Sequence, residues 1–222
     1  MELDVMYCES WNPWFYEGIE PVTEERANAM FHTDKRNFTV TAVCGTPGFY
    51  DRKEQPLFTI GTSKNGAQIS ILNKAGSDTQ TYSYSNRRDD AMFLFGYTRY
   101  YYNNPEKYSM SPNADRRERW GISDDGTYES ATLVPGVETD WGPVHTGLDT
   151  AVLWRPRVVF GRWRELTVVG MIEPAVPGFV GMDWPDAVVD EHGRASVDTS
   201  GDVIHVKNFP DAKGMLKQKS RT

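Results

Sequence analysis

Phe58-Thr59-Ile60-Gly61-Thr62-Ser63-Lys64-Asn65-Gly66-Ala67-Gln68-Ile69-Ser70-Ile71-Leu72 decides the fold class. Apolar residues alternate with small or polar ones on both sides of Asn65-Gly66, the period of a half-buried strand. Asn-Gly between two such runs predicts a type I′ hairpin, because both central residues must accept positive φ. It sets Phe58 and Ile60 against Ile69 and Ile71. Working outward, the same period predicts strands over Phe38–Cys44, Pro56–Gly61, Ala67–Leu72, Thr79–Ser85 and Ala91–Tyr97. Tyr82 and Tyr84 share one face opposite Thr81 and Ser83, as in a sheet covered on one side. Ala91-Met92-Phe93-Leu94-Phe95 is apolar on both faces and belongs mid-sheet.

Upstream, Glu2–Tyr7 reads as a strand that ends before Trp11-Asn12-Pro13-Trp14, since Pro13 cannot extend a ladder. A helix follows: Thr23 is the N-cap, Glu24 and Glu25 favour its first turn, and Ala27, Met30 and Phe31 form its buried stripe. Downstream, Tyr97–Trp120 reads as a long polar loop with Tyr100-Tyr101-Tyr102 at its start, a place to divide the domain near 103–121. Ala151–Trp154, Val158–Phe160, Leu166–Ile172 and Val203–Val206 read as further strands, the first ending early or lying at an edge because of Pro156. Residues 173–222, with Pro174, Pro177, Gly178 and a basic end at Lys207, Lys213, Lys217, Lys219 and Arg221, read as an extended arm beyond a 1–172 domain. The expected fold is α+β and predominantly antiparallel β: a twisted sheet, one or two helices on one face, and that C-terminal arm.

The chain has 222 residues, 39% apolar and 13% aromatic, enough for a largely aromatic core. Two cysteines, Cys8 and Cys44, are expected as buried thiols in a reducing, cytoplasmic setting. A disulfide between them requires the N-terminal strand to pair beside the Phe38 strand. No apolar run approaches membrane-spanning length, and Met1-Glu2-Leu3-Asp4 lacks the basic start of a signal peptide. A formal charge of −7 opposes nucleic-acid binding and suits a basic protein partner.

Chemical signatures are missing from the sequence. There is no H-E-x-x-H, C-x-x-C, G-x-S-x-G, P-loop or G-x-G-x-x-G pattern, so no metal, cofactor or catalytic role is expected. Gly142, Pro143 and Gly147 argue against a helix that would pair His145 with Asp149. Arg155, Arg157, Arg162 and Arg164, interleaved with Trp154 and Trp163, are read as packing on aromatics and pairing with surplus acids. The surface left for function is that of a partner-binding protein. Tyr100, Tyr101, Tyr102 and Tyr108 supply large contact area at small entropic cost, and Asp89, Asp90, Asp124 and Asp125 would steer a basic partner.

The opening strand, the helix near Pro21–Phe31, Gln55–Gly61, Ala67–Leu72, Tyr82-Ser83-Tyr84 and Phe93-Leu94-Phe95 together resemble the mostly-β immunity proteins of bacterial polymorphic toxin systems, the family often encoded beside deaminase toxins. The resemblance covers the first half; Thr146-Gly147 followed by Trp154 matches the family's ending only in part. It implies a non-enzymatic, cytoplasmic inhibitor that occludes a toxin domain without a cofactor. The alternative is a structural or assembly subunit of a virion or phage particle, self-associating through the C-terminal arm.

Overall fold

The computed structural model describes residues 1–33, 40–170 and 181–209. In chain order it contains β1 (Glu2–Cys8), β2 (Ser10–Asn12), β3 (Glu17–Ile19), α1 (Glu24–Phe31), β4 (Val40–Gly45), β5 (Phe58–Ser63), β6 (Gly66–Leu72), β7 (Asp78–Asn86) and β8 (Ala91–Tyr101). Then come β9 (Arg116–Ile122), β10 (Tyr128–Leu133), β11 (Asp140–Trp141), β12 (Trp154–Pro156), β13 (Val188–Val189), β14 (Ala195–Ser196) and β15 (Val203–Val206). One large sheet runs β11-β10-β9-β8-β7-β6-β5-β4-β1-β15, antiparallel except where β15 lies parallel to β1. The predominantly antiparallel α+β fold is as the sequence predicts.

The central hairpin forms where expected, with a different turn. Ser63 pairs with Gly66, so Lys64-Asn65 is the two-residue loop and Gly66 opens β6. Gly66 carries the positive φ, +153°, while Lys64 and Asn65 are not among the positive-φ residues, so the turn is not type I′. Its backbone passes so close to β7 that a Cβ at Gly66 would stand 1.9 Å from the Tyr84 carbonyl oxygen. The glycine is required by close approach as well as by dihedral.

Strand alternation separates two layers. On one face Tyr7, Ala42, Cys44, Phe58, Ile60, Ile69 and Tyr82 form the main core. On the other, Met6, Cys8, Val43 and Phe49 make a small second core at the β1–β4 end. Cys8 and Cys44 are both buried free thiols. The N-terminal strand does pair beside β4, yet Cys8 sits opposite Thr41 and Cys44 opposite Val5. They therefore point to opposite faces of the sheet, which excludes a bridge. Burial pushes the Cys8 thiol up to about 12 and Cys44 well above its ordinary value.

The helix begins as predicted, with Thr23 Oγ1 accepting the Arg26 N–H and Ala27 fully buried. Beside it Tyr7 stacks on Phe160 at 5.1 Å, and Phe160 meets Trp163 at 5.3 Å. Trp163 Nε1 donates to the Tyr7 hydroxyl at 3.1 Å, tying β1 to the chain's second half.

Several expectations downstream are corrected. β8 continues to Tyr101 and β9 starts at Arg116, so the loop between them is shorter than predicted. Residues 158–160 form no strand. Of the expected strand Leu166–Ile172 the first residue closes a 3₁₀ turn (Arg164–Leu166), 167–170 form no strand, and Met171 and Ile172 lie outside the described residues. The described apolar side chains here fill the core from an irregular backbone, a case that hydrophobicity cannot distinguish from a strand. The expected strand Ala151–Trp154 is instead a 3₁₀ turn over Ala151–Leu153, and the short β12 that follows it, ending at Pro156, pairs with the start of β8. Val203–Val206 is a strand as expected.

The arm is corrected for residues 181–209. Trp184 and Ala195 are buried in the main core, and β15 completes the large sheet, so this segment packs on its own domain. Arg164, only 2% exposed, secures it: its guanidinium donates to both Asp202 oxygens, both Asp186 oxygens and the Asp198 carbonyl at 2.6–2.8 Å. Of the expected basic tail, Lys207 pairs with Asp51 and lies over the Tyr50 ring at 4.6 Å; Lys213, Lys217, Lys219 and Arg221, and Pro174, Pro177 and Gly178, lie outside the described residues.

Candidate functional site

The face of the sheet opposite the main core is a lattice of small polar residues. Thr41, Gly61, Gln68, Ser83 and Gly96 stand in register across β4 to β8, and Thr59, Ser70, Thr81 and Thr98 form the next row. Small side chains leave this face concave. A groove of about 810 Å³ lies over it, within the range of ligand sites.

Two walls enclose the groove. The β2–β3 hairpin forms one, anchored by Gln55, whose Oε1 accepts from Trp11 Nε1 at 3.0 Å and whose Nε2 donates to the Pro13 carbonyl at 2.8 Å. The loop between β8 and β9 forms the other. Ser109 N donates to Ser77 Oγ at 2.8 Å, and the Ser111 hydroxyl bonds the Asp78 carboxylate. The walls meet where Trp14 contacts Tyr108 edge-on at 4.8 Å. A register shift between Ser83 and Tyr84 marks a bulge that leaves Phe95 unpaired, and its ring is 41% exposed beside the groove.

The hairpin tip is the most exposed aromatic feature of the described chain. Trp14 is 61% and Phe15 70% exposed, and Tyr16 holds φ +54°, a strained value for a bulky residue. From Glu9 to Glu20 the hairpin carries three glutamates and no lysine or arginine.

The sequence-selected residues fall in separate places. Tyr100 faces the groove side and shares a hydrogen bond with Thr81. Tyr101 points to the opposite face, donates to Glu118 at 2.6 Å and lies under the Arg116 guanidinium at 4.0 Å. The Tyr102 hydroxyl is buried without a partner among the described residues. Burial and the nearby Asp78 raise the Tyr102 and Tyr108 phenols above their ordinary range. Asp89 and Asp90 lie in the turn before β8, at the other end of that strand and roughly 30 Å from Tyr101 by the rise per residue. Asp124 and Asp125 occupy the turn after β9, roughly 20 Å along that strand from Arg116. The structure joins Tyr108 to the hairpin and keeps both acidic pairs away from the tyrosines. Sequence reasoning missed Trp14, Phe15 and Phe95; the acid-only flanks of Pro13 were the available signal for the first two.

The arginines are each engaged inside the chain. Arg155 donates to the Val168 and Ala195 carbonyls at 3.0 Å, Arg157 donates to the Arg88 carbonyl, and Arg162 pairs with Glu165 at 3.5 Å. Arg155 and Arg164 tie segments of the second half to one another, and Arg157 ties that half to the turn before β8. His145 stacks on Tyr128 at 4.8 Å, and among the described residues no group of three His, Cys, Asp or Glu is placed to hold a metal. No helix among the described residues is long and apolar enough to cross a membrane.

Asp78 makes the loop wall sensitive to pH. Desolvation raises its carboxyl above the ordinary value, against the opposing hydrogen bonds of Ser111 and Ser70. A raised folded-state value means the contribution is fully present below the unfolded carboxyl pKa and is lost as pH rises through the folded one. The Asp78 contribution to thermal stability should therefore fall as pH rises above the ordinary carboxylate range, and Asp78→Asn should remove that component of the pH dependence. Melting curves between pH 4 and 8 test this, and equal slopes for both proteins would overturn it.

Compared with known proteins, the chain matches no family model, no curated protein and no solved structure.

Proposed function

We propose that this chain is a non-enzymatic binding module that captures a basic protein surface through the β2–β3 hairpin. In keeping with the resemblance of its first half, the protein would be a cytoplasmic immunity protein whose partner is a toxin domain. The observation that carries this reading is the exposed Trp14-Phe15 pair beside the strained Tyr16. Aromatic rings of this kind dominate interface energetics, and strain held at an exposed site points to function. Glu9 and Glu17 flank the rings, and the net charge of −7 adds long-range attraction for a cationic partner. Tyr108 supports Trp14 from the opposite wall. Asp89, Asp90, Asp124 and Asp125 contribute at a distance, by field rather than contact.

The structural-subunit alternative drew on an arm, and residues 181–209 lie on their own sheet. The binding reading is therefore preferred. Its test is affinity capture of the tagged protein from its host, with the retained chain identified by mass spectrometry. One basic domain should be retained stoichiometrically. Replacing Trp14 and Phe15 together by alanine should weaken that complex by about 30-fold or more, the scale of an interface hot spot. The melting temperature should stay unchanged. Undiminished affinity in the double variant would remove the hairpin from the interface. Recovery of particle components instead of a basic domain would favour the structural reading.

A further inference from the structure

We infer that the concave face of the sheet binds a neutral oligosaccharide. The site is separate from the exposed tip of the hairpin and does not depend on the protein-binding reading.

Its chemistry excludes charged ligands first. Among the residues lining the groove there is no lysine, arginine, histidine or glutamate. The one carboxyl, Asp78, is already bonded to Ser111 and sits at the end beneath the loop. An anion would find no counter-charge, and a cation would find only that engaged acid. A neutral polyol avoids the cost of an unpaired charge and loses only what its hydroxyls fail to regain in hydrogen bonds.

The floor then selects among neutral ligands. Thr59, Gln68, Ser70 and Ser83 present hydroxyl and amide groups that both donate and accept, the pattern that complements a polyol. Neighbouring strands place them about 4.8 Å apart across the sheet. The rim adds rings: Trp11, Tyr108 and the bulge-displaced Phe95 border the same groove. Flat apolar rings beside directional polar groups match a pyranose, which has C–H faces and a hydroxyl edge.

A polypeptide fits less well. The main-chain groups of β5, β6 and β7 are taken by both neighbours in the sheet, so no strand can be added there. A peptide would also need apolar side-chain pockets, and the rows of this floor are serine, threonine, glycine and glutamine.

The test is titration of the full chain with maltohexaose, cellohexaose, xylohexaose, mannohexaose and chitohexaose, read by tryptophan fluorescence and by amide chemical shifts. At least one should bind saturably, with a Kd on the order of micromolar to millimolar, and shift the resonances of Gln68, Ser83 and Phe95. Ser83→Leu, which fills the groove floor, should weaken binding by at least tenfold. Gln68→Ala, an exposed position, should weaken it while leaving the fold unchanged, and it keeps the test open if the leucine variant does not fold. Phe15→Ala, at a 70% exposed ring outside the groove lining, should bind the sugar normally, so failure of the protein-partner reading would leave this result intact. A flat response to all five sugars at 10 mM overturns the proposal. So does binding that survives both groove variants, or occupation of the groove by a segment of the captured protein partner.

Discussion

Arg164→Ala should destabilise the protein by about 3–5 kcal/mol, the scale for breaking a buried ion pair by removing one partner. The guanidinium is buried, as is the Asp202 side chain at 6% exposure, and their ion pair is 2.7 Å long. Alanine would leave the buried Asp202 carboxylate with only the Met1 ammonium at 3.1 Å, and the Asp198 carbonyl without its donor. Both costs fall on the turn that leads into β15. The loss should appear as a fall in the urea midpoint and as early proteolysis around residues 181–209, ahead of the rest of the chain. Arg164→Lys should recover only part of the loss, because an ammonium cannot reproduce the planar, multidentate contacts to two carboxylates. If Arg164→Ala unfolds at the wild-type midpoint, the network contributes no net stability, and the packing of Trp184 and Ala195 with the β15–β1 ladder holds the segment.

Gly66→Ala should be at least as damaging, above about 4 kcal/mol, the range reserved for changes the fold cannot absorb. Two costs combine there. The residue holds φ +153°, which side-chain-bearing residues rarely adopt. The added Cβ would also meet the Tyr84 carbonyl oxygen at 1.9 Å and the Ser85 Cα at 3.0 Å, both backbone atoms that no rotamer change can move. Relief requires β6 and β7 to separate at their ends, through the middle of the sheet. Expression as inclusion bodies, or loss of the cooperative melting transition, is the expected result. As a control, Gly136→Ala shares a positive φ with nothing within 4 Å of its Cβ, and should show only the smaller dihedral cost. Equal behaviour of the two variants would contradict the close-approach argument.

The meander from Phe58 to Phe95 was legible because its two faces differ in kind: isoleucine and tyrosine on one, serine, threonine and glycine on the other. The groove is the consequence of that second face, and nothing in the residue pattern showed that it would be walled and left open. Two other regions were opaque for opposite reasons. β9 begins Arg-Arg-Glu-Arg because its cross-strand neighbours are Tyr100, Arg99 and Thr98, so polar pairs rather than an apolar stripe fix its register. Residues 158–169 are rich in valine, phenylalanine and leucine yet irregular, since they cover the sheet and take no part in its ladder. The hairpin tip was hidden by the habit of placing Trp and Phe inside; its sequence carries the acids and proline of a surface turn. Four tyrosines close in sequence suggested one patch. Strand alternation divides Tyr100 from Tyr101, and the loop carries Tyr108 back to the hairpin.

The parallel pairing of β15 with β1 bears on the order in which the molecule assembles. Glu2 aligns with Val203 and Val5 with Val206, so the first strand described is flanked on one side by the last. Through most of synthesis that flank of β1 has no neighbour, a row of unsatisfied amides and carbonyls of the kind that recruits other chains. Closing so long a loop slows the search for the native state far more than it weakens the final product. A chain released before Asp202 would carry β1 as a permanent open edge, with the anchor of Arg164 incomplete. Truncated products of this protein should therefore be found in aggregates, while the full chain, once closed, keeps that edge covered.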